Sequence, residues 1–77
     1  GYAAAQYNLG LMYANGRGVP QDDVQAYMWL NISASKFTGS EREQAVEARD
    51  GIASGLPDAQ RAEAQRLARE WNEAHPQ

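Results

Sequence analysis

The sequence predicts an all-α fold: about four helices arranged as two helical hairpins, forming a fragment of an α/α superhelix. Three observations predict it. Four segments of helical character are separated by breaks marked with Gly and Pro. The second segment is apolar nearly all round, the pattern of a helix enclosed on more than one side. The fourth carries one narrow apolar stripe opposite a charged flank, the pattern of a helix that closes an assembly against water.

The first helix runs from about Ala3 to Ala14. At 100° per residue, Ala5, Leu9, Met12 and Tyr13 share one stripe, taken as its core face. Asn15-Gly16-Arg17-Gly18 stops it, because Gly and Asn accept the left-handed conformation that helix C-termini favour, and Val19-Pro20 continues the turn. The second helix begins at Asp22 or Asp23, where a carboxylate can accept bonds from unpaired N–H groups, and reaches about Ser35. Its residues divide among three faces. Ala26, Trp29, Leu30 and Ser33 occupy the first, Val24 and Tyr27 the second, Met28 and Ile32 the third.

After the loop Lys36-Phe37-Thr38-Gly39, the run Ser40-Glu41-Arg42-Glu43 reads as a capping box that starts a third helix ending near Ala53. Its modest apolar face is Ala45, Ala48 and Ile52. Gly55-Leu56-Pro57 breaks the chain, and Pro57 suits the first position of the fourth helix, where a missing N–H costs nothing. That helix extends to about Ala74. Ala64, Leu67, Ala68, Trp71 and Ala74 form its stripe, while Glu63, Arg66, Arg69, Glu70 and Glu73 form the charged side.

Bulk properties narrow the function. Seventy-seven residues make one domain at most. A chain this short buries only about 60% of its unfolded surface and needs help to be stable. With no cysteine, neither a disulfide nor a thiolate metal site supplies that help, and the compartment stays undecided between reducing and oxidising. Self-association, or a longer parent chain, is the remaining source of buried surface; the start at Gly1 without an initiator Met fits a fragment. Ten acidic residues against seven basic ones give a formal charge of −3. The arginines are interleaved with Asp and Glu, which argues against nucleic-acid binding. No apolar run approaches the roughly 18 residues of a membrane span, and residues 1–20 lack a signal-peptide layout.

Gly1 and Gly39 each precede a helical hairpin, a period of about 38 residues and within the range of repeat arrays. Residues 1–39 then form one repeat and residues 40–77 a degenerate repeat or capping hairpin. The run Ala3-x-Ala5-Gln6-x-Asn8-Leu9-Gly10-x-Met12-Tyr13, then Gly16-x-Gly18-Val19-x-x-Asp22, then Ala26-x-x-Trp29 resembles a Sel1-like repeat, a relative of the tetratricopeptide repeat. The stretch from Ala48 to Trp71 is similar, more loosely, to the degenerate C-terminal ends of bacterial members. The resemblance implies an α/α solenoid and a non-catalytic scaffold or adaptor of a bacterial signalling or envelope complex, with a protein or peptide as partner. The alternative is a structural cap that ends a longer solenoid without a partner site of its own.

Each signature position has a physical task. Ala5, Gly10 and Ala26 are small enough for close helix approach. Leu9, Tyr13 and Trp29 fill the hairpin interior, and Trp71 anchors the fourth helix. Gly16 and Gly18 permit the turn, and Asp22 starts the next helix. Three departures touch the helix ends and one interior position: Tyr2 stands where an acidic N-cap is common, Ser33 replaces an alanine, and Leu56 replaces a capping Thr.

No catalytic, metal or cofactor site emerges. His75 is the single histidine, read as a frayed terminal residue, and with no cysteine it cannot build a zinc site alone. Asp22 and Asp23 read as capping residues, and Glu63 and Glu70 as a solvated face. Ser33, Ser35 and Ser40 have no histidine base within helical reach, which argues against a hydrolase. Gly16-Arg17-Gly18 lacks the strand and further glycines of a phosphate loop. One strip stands apart: Tyr7, Leu11 and Ala14 lie opposite the predicted core stripe of the first helix. In solenoids of this type that helix lines the concave surface. The strip is either a partner-binding surface or a packing face for a preceding repeat or a second copy.

Overall fold

The second helix organises the molecule, because each of the other helices packs on it. The computed structural model describes residues 2–76, and among them four helices form: α1 (Tyr2–Asn15), α2 (Asp23–Lys36), α3 (Gly39–Ala53) and α4 (Asp58–Ala74). Gly1, which marks the start of the sequence period, lies outside the described residues. The radius of gyration is 11.4 Å, close to the ~11.5 Å expected of a globular chain this long.

The α1–α2 turn is held by backbone geometry. Gly16 and Gly18 take φ of 66° and 75°, the left-handed region that side chains with a Cβ avoid. Arg17 N–H donates to Met12 O, and Asp22 N–H donates to Tyr13 O across the turn, both at 3.0 Å. Asp22 is then the N-cap of α2: its Oδ1 accepts from Val24 N–H at 3.0 Å and from Gln25 N–H at 3.1 Å. Asp22→Ala is expected to cost about 1 kcal/mol, and Asp22→Asn much less. In thermal unfolding followed by circular dichroism, that is a drop of about 4–8 °C for alanine.

The three faces of α2 meet separate neighbours. Ala26 and Leu30 lie against Gly10 of α1, where the helix backbones come close. Tyr27 and Val24 pack with Leu56 and Ala64, and with Ile52 and Ala53 of α3. Met28 and Ile32 pack with Ala68, Leu67 and Trp71 of α4. Met28 and Ile32 are buried, as an inner helix requires. Ser33 is also buried, and its hydroxyl is satisfied locally by donating to Leu30 O at 2.8 Å. Polar bonds reinforce the packing. Arg42 of α3 donates to Ala34 O at 2.8 Å, satisfying a carbonyl of the last turn of α2. Arg49 donates to Asn31 Oδ1 at 3.0 Å, and Gln65 of α4 to the Tyr27 hydroxyl at 3.2 Å.

Several expectations are corrected. The buried positions of α1 are Gln6 and Gly10, so its core face is rotated from the predicted stripe. Ala5 is exposed, Met12 is 37% exposed, and Leu9 and Tyr13 are half-buried. Trp29, grouped by sequence with the face toward α1, packs edge-on against Trp71 of α4, with ring centroids 5.6 Å apart. The Ser40 capping box does not form. Gly39 adopts φ of 62°, the helix starts there, and Thr38 occupies the N-cap without a side-chain bond. Pro57 is the N-cap of α4 rather than its first residue, again without a side-chain bond. Leu56 offsets that missing cap by burying itself against Tyr27 and Ala64. On α4, Ala64 and Ala68 are buried and Leu67 and Trp71 half-buried, whereas Ala74 is exposed.

Candidate protein-interaction surface

Two depressions flank the C-terminal end of α2, separated by the Lys36–Phe37 step. The first lies between α1 and the start of α3, lined by Ala4, Tyr7, Asn8, Phe37, Glu41 and Gln44. Residues 4, 7 and 8 share a side of α1 by helical spacing. Phe37 follows the last turn of α2 in an extended conformation, φ −76° and ψ 158°, and its N–H donates to Ser33 O at 2.9 Å. Fixed this way, the Phe37 ring meets Tyr7 edge-on, with centroids 6.3 Å apart and planes at 66°. The cleft has an aromatic wall and a polar rim. Its volume, about 150 Å³, suits a side chain or a short stretch of peptide better than a cofactor.

Of the predicted strip, Tyr7 lines this cleft, while Leu11 and Ala14 lie one and two turns further along α1, outside its lining. All three are half-buried. Nothing in the sequence marks Phe37, Glu41 and Gln44, since only the chain reversal after Lys36 brings them to the same cleft as Tyr7. The signature residues serve other places. Gly10 and Ala26 form the α1–α2 contact, Gly16 and Gly18 the turn, Asp22 the cap, and Trp29 and Trp71 the contact between α2 and α4.

The second depression is larger, about 440 Å³, and lies where the first turns of α1 approach the C-terminal ends of α2 and α4. Tyr2, Gln6, Lys36, Trp71, His75 and Pro76 line it. His75 is not frayed. Its backbone N–H donates to Trp71 O at 3.0 Å, and its ring stacks on Trp71 with centroids 4.1 Å apart. Its Nδ1 lies 2.9 Å from Trp71 O; a carbonyl only accepts, so this bond places a hydrogen on Nδ1. The Lys36 ammonium sits 5.7 Å from the centroid of the Trp71 ring. Gln6 is buried, yet neither its Oε1 nor its Nε2 has a hydrogen-bond partner among the described residues, and Trp29 Nε1 is in the same condition.

Nothing in either depression assembles a nucleophile with a base. The Ser33 and Ser35 hydroxyls donate to Leu30 O and Ile32 O within their own helix. Among the described residues no group of three His, Asp or Glu could hold a metal ion, and no helix is long and apolar enough to cross a membrane. The charged flank of α4 is exposed; Arg66 pairs with Glu70 at 2.8 Å, and Arg61 pairs with Asp58.

An all-helical chain of paired helices stacked on a common inner helix belongs to the class of α/α repeat proteins. Residues 3–36, the α1–α2 hairpin, match the family model of the Sel1 repeat. Sel1 repeats form helical-hairpin solenoids and generally serve as protein-interaction modules. No curated protein and no solved structure matched the chain.

Proposed function

We propose that this chain is a non-catalytic protein–protein interaction module, a scaffold or adaptor segment of a bacterial complex, whose partner lays a peptide segment in the α1–α3 cleft. The observation that carries the proposal is the half-exposed Tyr7–Phe37 pair. These two rings come from different helical units, stand edge-on and form one wall of an open cleft. Aromatic side chains held in this way supply large contact area at small entropic cost. Asn8, Glu41 and Gln44 around them offer donors and acceptors to a peptide backbone.

A second reading, a structural cap that ends a longer solenoid, is favoured by one feature. Glu63, Arg66, Arg69, Glu70 and Glu73 all face solvent, so the outer side of α4 is built for water. The two roles are compatible, since the cap would use α4 and the cleft uses α1 and α3.

The test is a random peptide library displayed against the intact chain, followed by affinity measurement on Tyr7→Ala. Selected peptides are expected to bind Tyr7→Ala about tenfold or more weakly, the size of a strong interface anchor. Its melting temperature should fall by less than about 4 °C, since Tyr7 is only half-buried. A variant that melts much earlier but still binds in its folded fraction would assign Tyr7 to packing and overturn the proposal. So would an empty selection.

A further inference from the structure

We propose that the depression bounded by α1 and the C-terminal ends of α2 and α4 is a second docking site, for an extended peptide segment of a partner protein that carries an aspartate or glutamate side chain. It shares no lining residue with the α1–α3 cleft, so either site can fail without the other.

Gln6 supplies the first argument. It is 5% exposed, lines the cavity, and leaves both ends of its carboxamide without a partner. Buried amides are nearly always paired, and an unpaired one is destabilising by itself. What satisfies a carboxamide fully is a group presenting one acceptor and one donor side by side. One residue of an extended strand is such a group, since its own N–H and C=O point to the same side: the C=O accepts from Nε2–H and the N–H donates to Oε1.

Lys36 supplies the second. Lys36 is the basic residue of the lining, and among the described residues no Asp or Glu lines the cavity. The ion pairs among the described residues involve Arg49, Arg61 and Arg66 and leave Lys36 out. Its ammonium lies 5.7 Å from the centroid of the Trp71 ring, and the residue lines the cavity, where a carboxylate can pair with it. The remaining walls are apolar or aromatic: Tyr2, 79% exposed, Pro76, and Trp71 backed by His75. A segment with one acidic residue among apolar ones matches this lining. The volume of about 440 Å³ falls within the ~300–1,000 Å³ of ligand clefts.

The experiment uses the intact chain and a pool of capped tripeptides, acetyl-X-Asp-X-amide, with X drawn from the apolar residues. Binding is read by the fluorescence of Trp71 and Trp29 and by calorimetry. The Asp pool is expected to bind about tenfold or more tightly than the matching acetyl-X-Asn-X-amide pool, and Lys36→Gln should erase that difference. Gln6→Met is the decisive variant. It keeps the volume and removes the unpaired amide, so it should raise the melting temperature of the free chain by about 4 °C or more while weakening the Asp pool about tenfold. A Gln6→Met chain that melts earlier would mean that the amide is satisfied within the fold, overturning the proposal. Equal binding of the two pools would do the same. Preference for acetyl-X-X peptides with a free C-terminal carboxylate would identify a chain terminus as the occupant and overturn the side-chain assignment. Loss of self-association in Gln6→Met, seen by sedimentation with no tripeptide binding, would identify a second copy.

Discussion

Gly10→Ala is expected to destabilise the protein by about 1–3 kcal/mol, while the same change at Gly51 stabilises it by up to about 1 kcal/mol. Both glycines lie inside helices with ordinary φ, so propensity alone favours alanine at both. The surroundings decide. A Cβ on Gly10 would stand 2.8 Å from Leu30 Cγ, 3.0 Å from Leu30 Cδ2 and 3.3 Å from Ala26 O. Leu30 is fully buried, and the carbonyl belongs to the helix backbone, so neither can yield cheaply. Relief requires moving α1 off α2, which opens the contact that joins the two helices of the repeat. At Gly51 a Cβ meets nothing within 4 Å. Urea unfolding of the two variants should shift the midpoint in opposite directions at unchanged slope. Shifts of the same sign would mean that α1 and α2 do not approach as closely as Gly10 and Leu30 indicate.

That contact also shows which parts of the molecule can be seen in the sequence. The three faces of α2 are legible because apolar residues surround it at helical spacing, and each of those faces meets a separate neighbour. The core face of α1 is not legible. Ala, Leu, Met and Tyr occur on several sides of that helix, so hydrophobicity provides little contrast. The two residues it buries are a glycine and a glutamine, which no apolar pattern selects. Gly10 is buried for its lack of a side chain, and Gln6 is buried although its amide is unpaired. The Ser40 capping box fails for a local reason: Gly39 can take the positive φ that starts α3 one residue earlier. The α1–α3 cleft is half legible. Tyr7 stands out from a single helix, whereas Phe37, Glu41 and Gln44 reach it only through tertiary folding. His75, next to the chain end, reads as frayed because stacking on a residue one turn earlier leaves no trace in composition.

The other large effect is expected from Ile32→Ala, at about 2–5 kcal/mol. Ile32 is fully buried and packs among Met28, Ala68, Leu67 and Trp71, so truncation leaves a cavity at the seam of α2 and α4. The surroundings cannot readily fill it. Ala68 is too small to reach in, and Trp71 is committed to Trp29 on one side and His75 on the other. A typical domain has about 0.05–0.15 kcal/mol of stability per residue, roughly 4–12 kcal/mol over 77 residues. The loss is therefore a large share of the whole, and Ile32→Ala should be substantially unfolded near body temperature. Combining it with Trp71→Ala should cost less than the two single losses added, because both empty the same cluster. Combining it with Asp22→Ala, at the opposite end of α2, should be additive. The reverse outcome, additivity with Trp71 and coupling to Asp22, would show that α4 is not held on α2 through Ile32. In that case the inner position of α2, on which both docking surfaces depend for the placement of Lys36 and Phe37, would have to be given up.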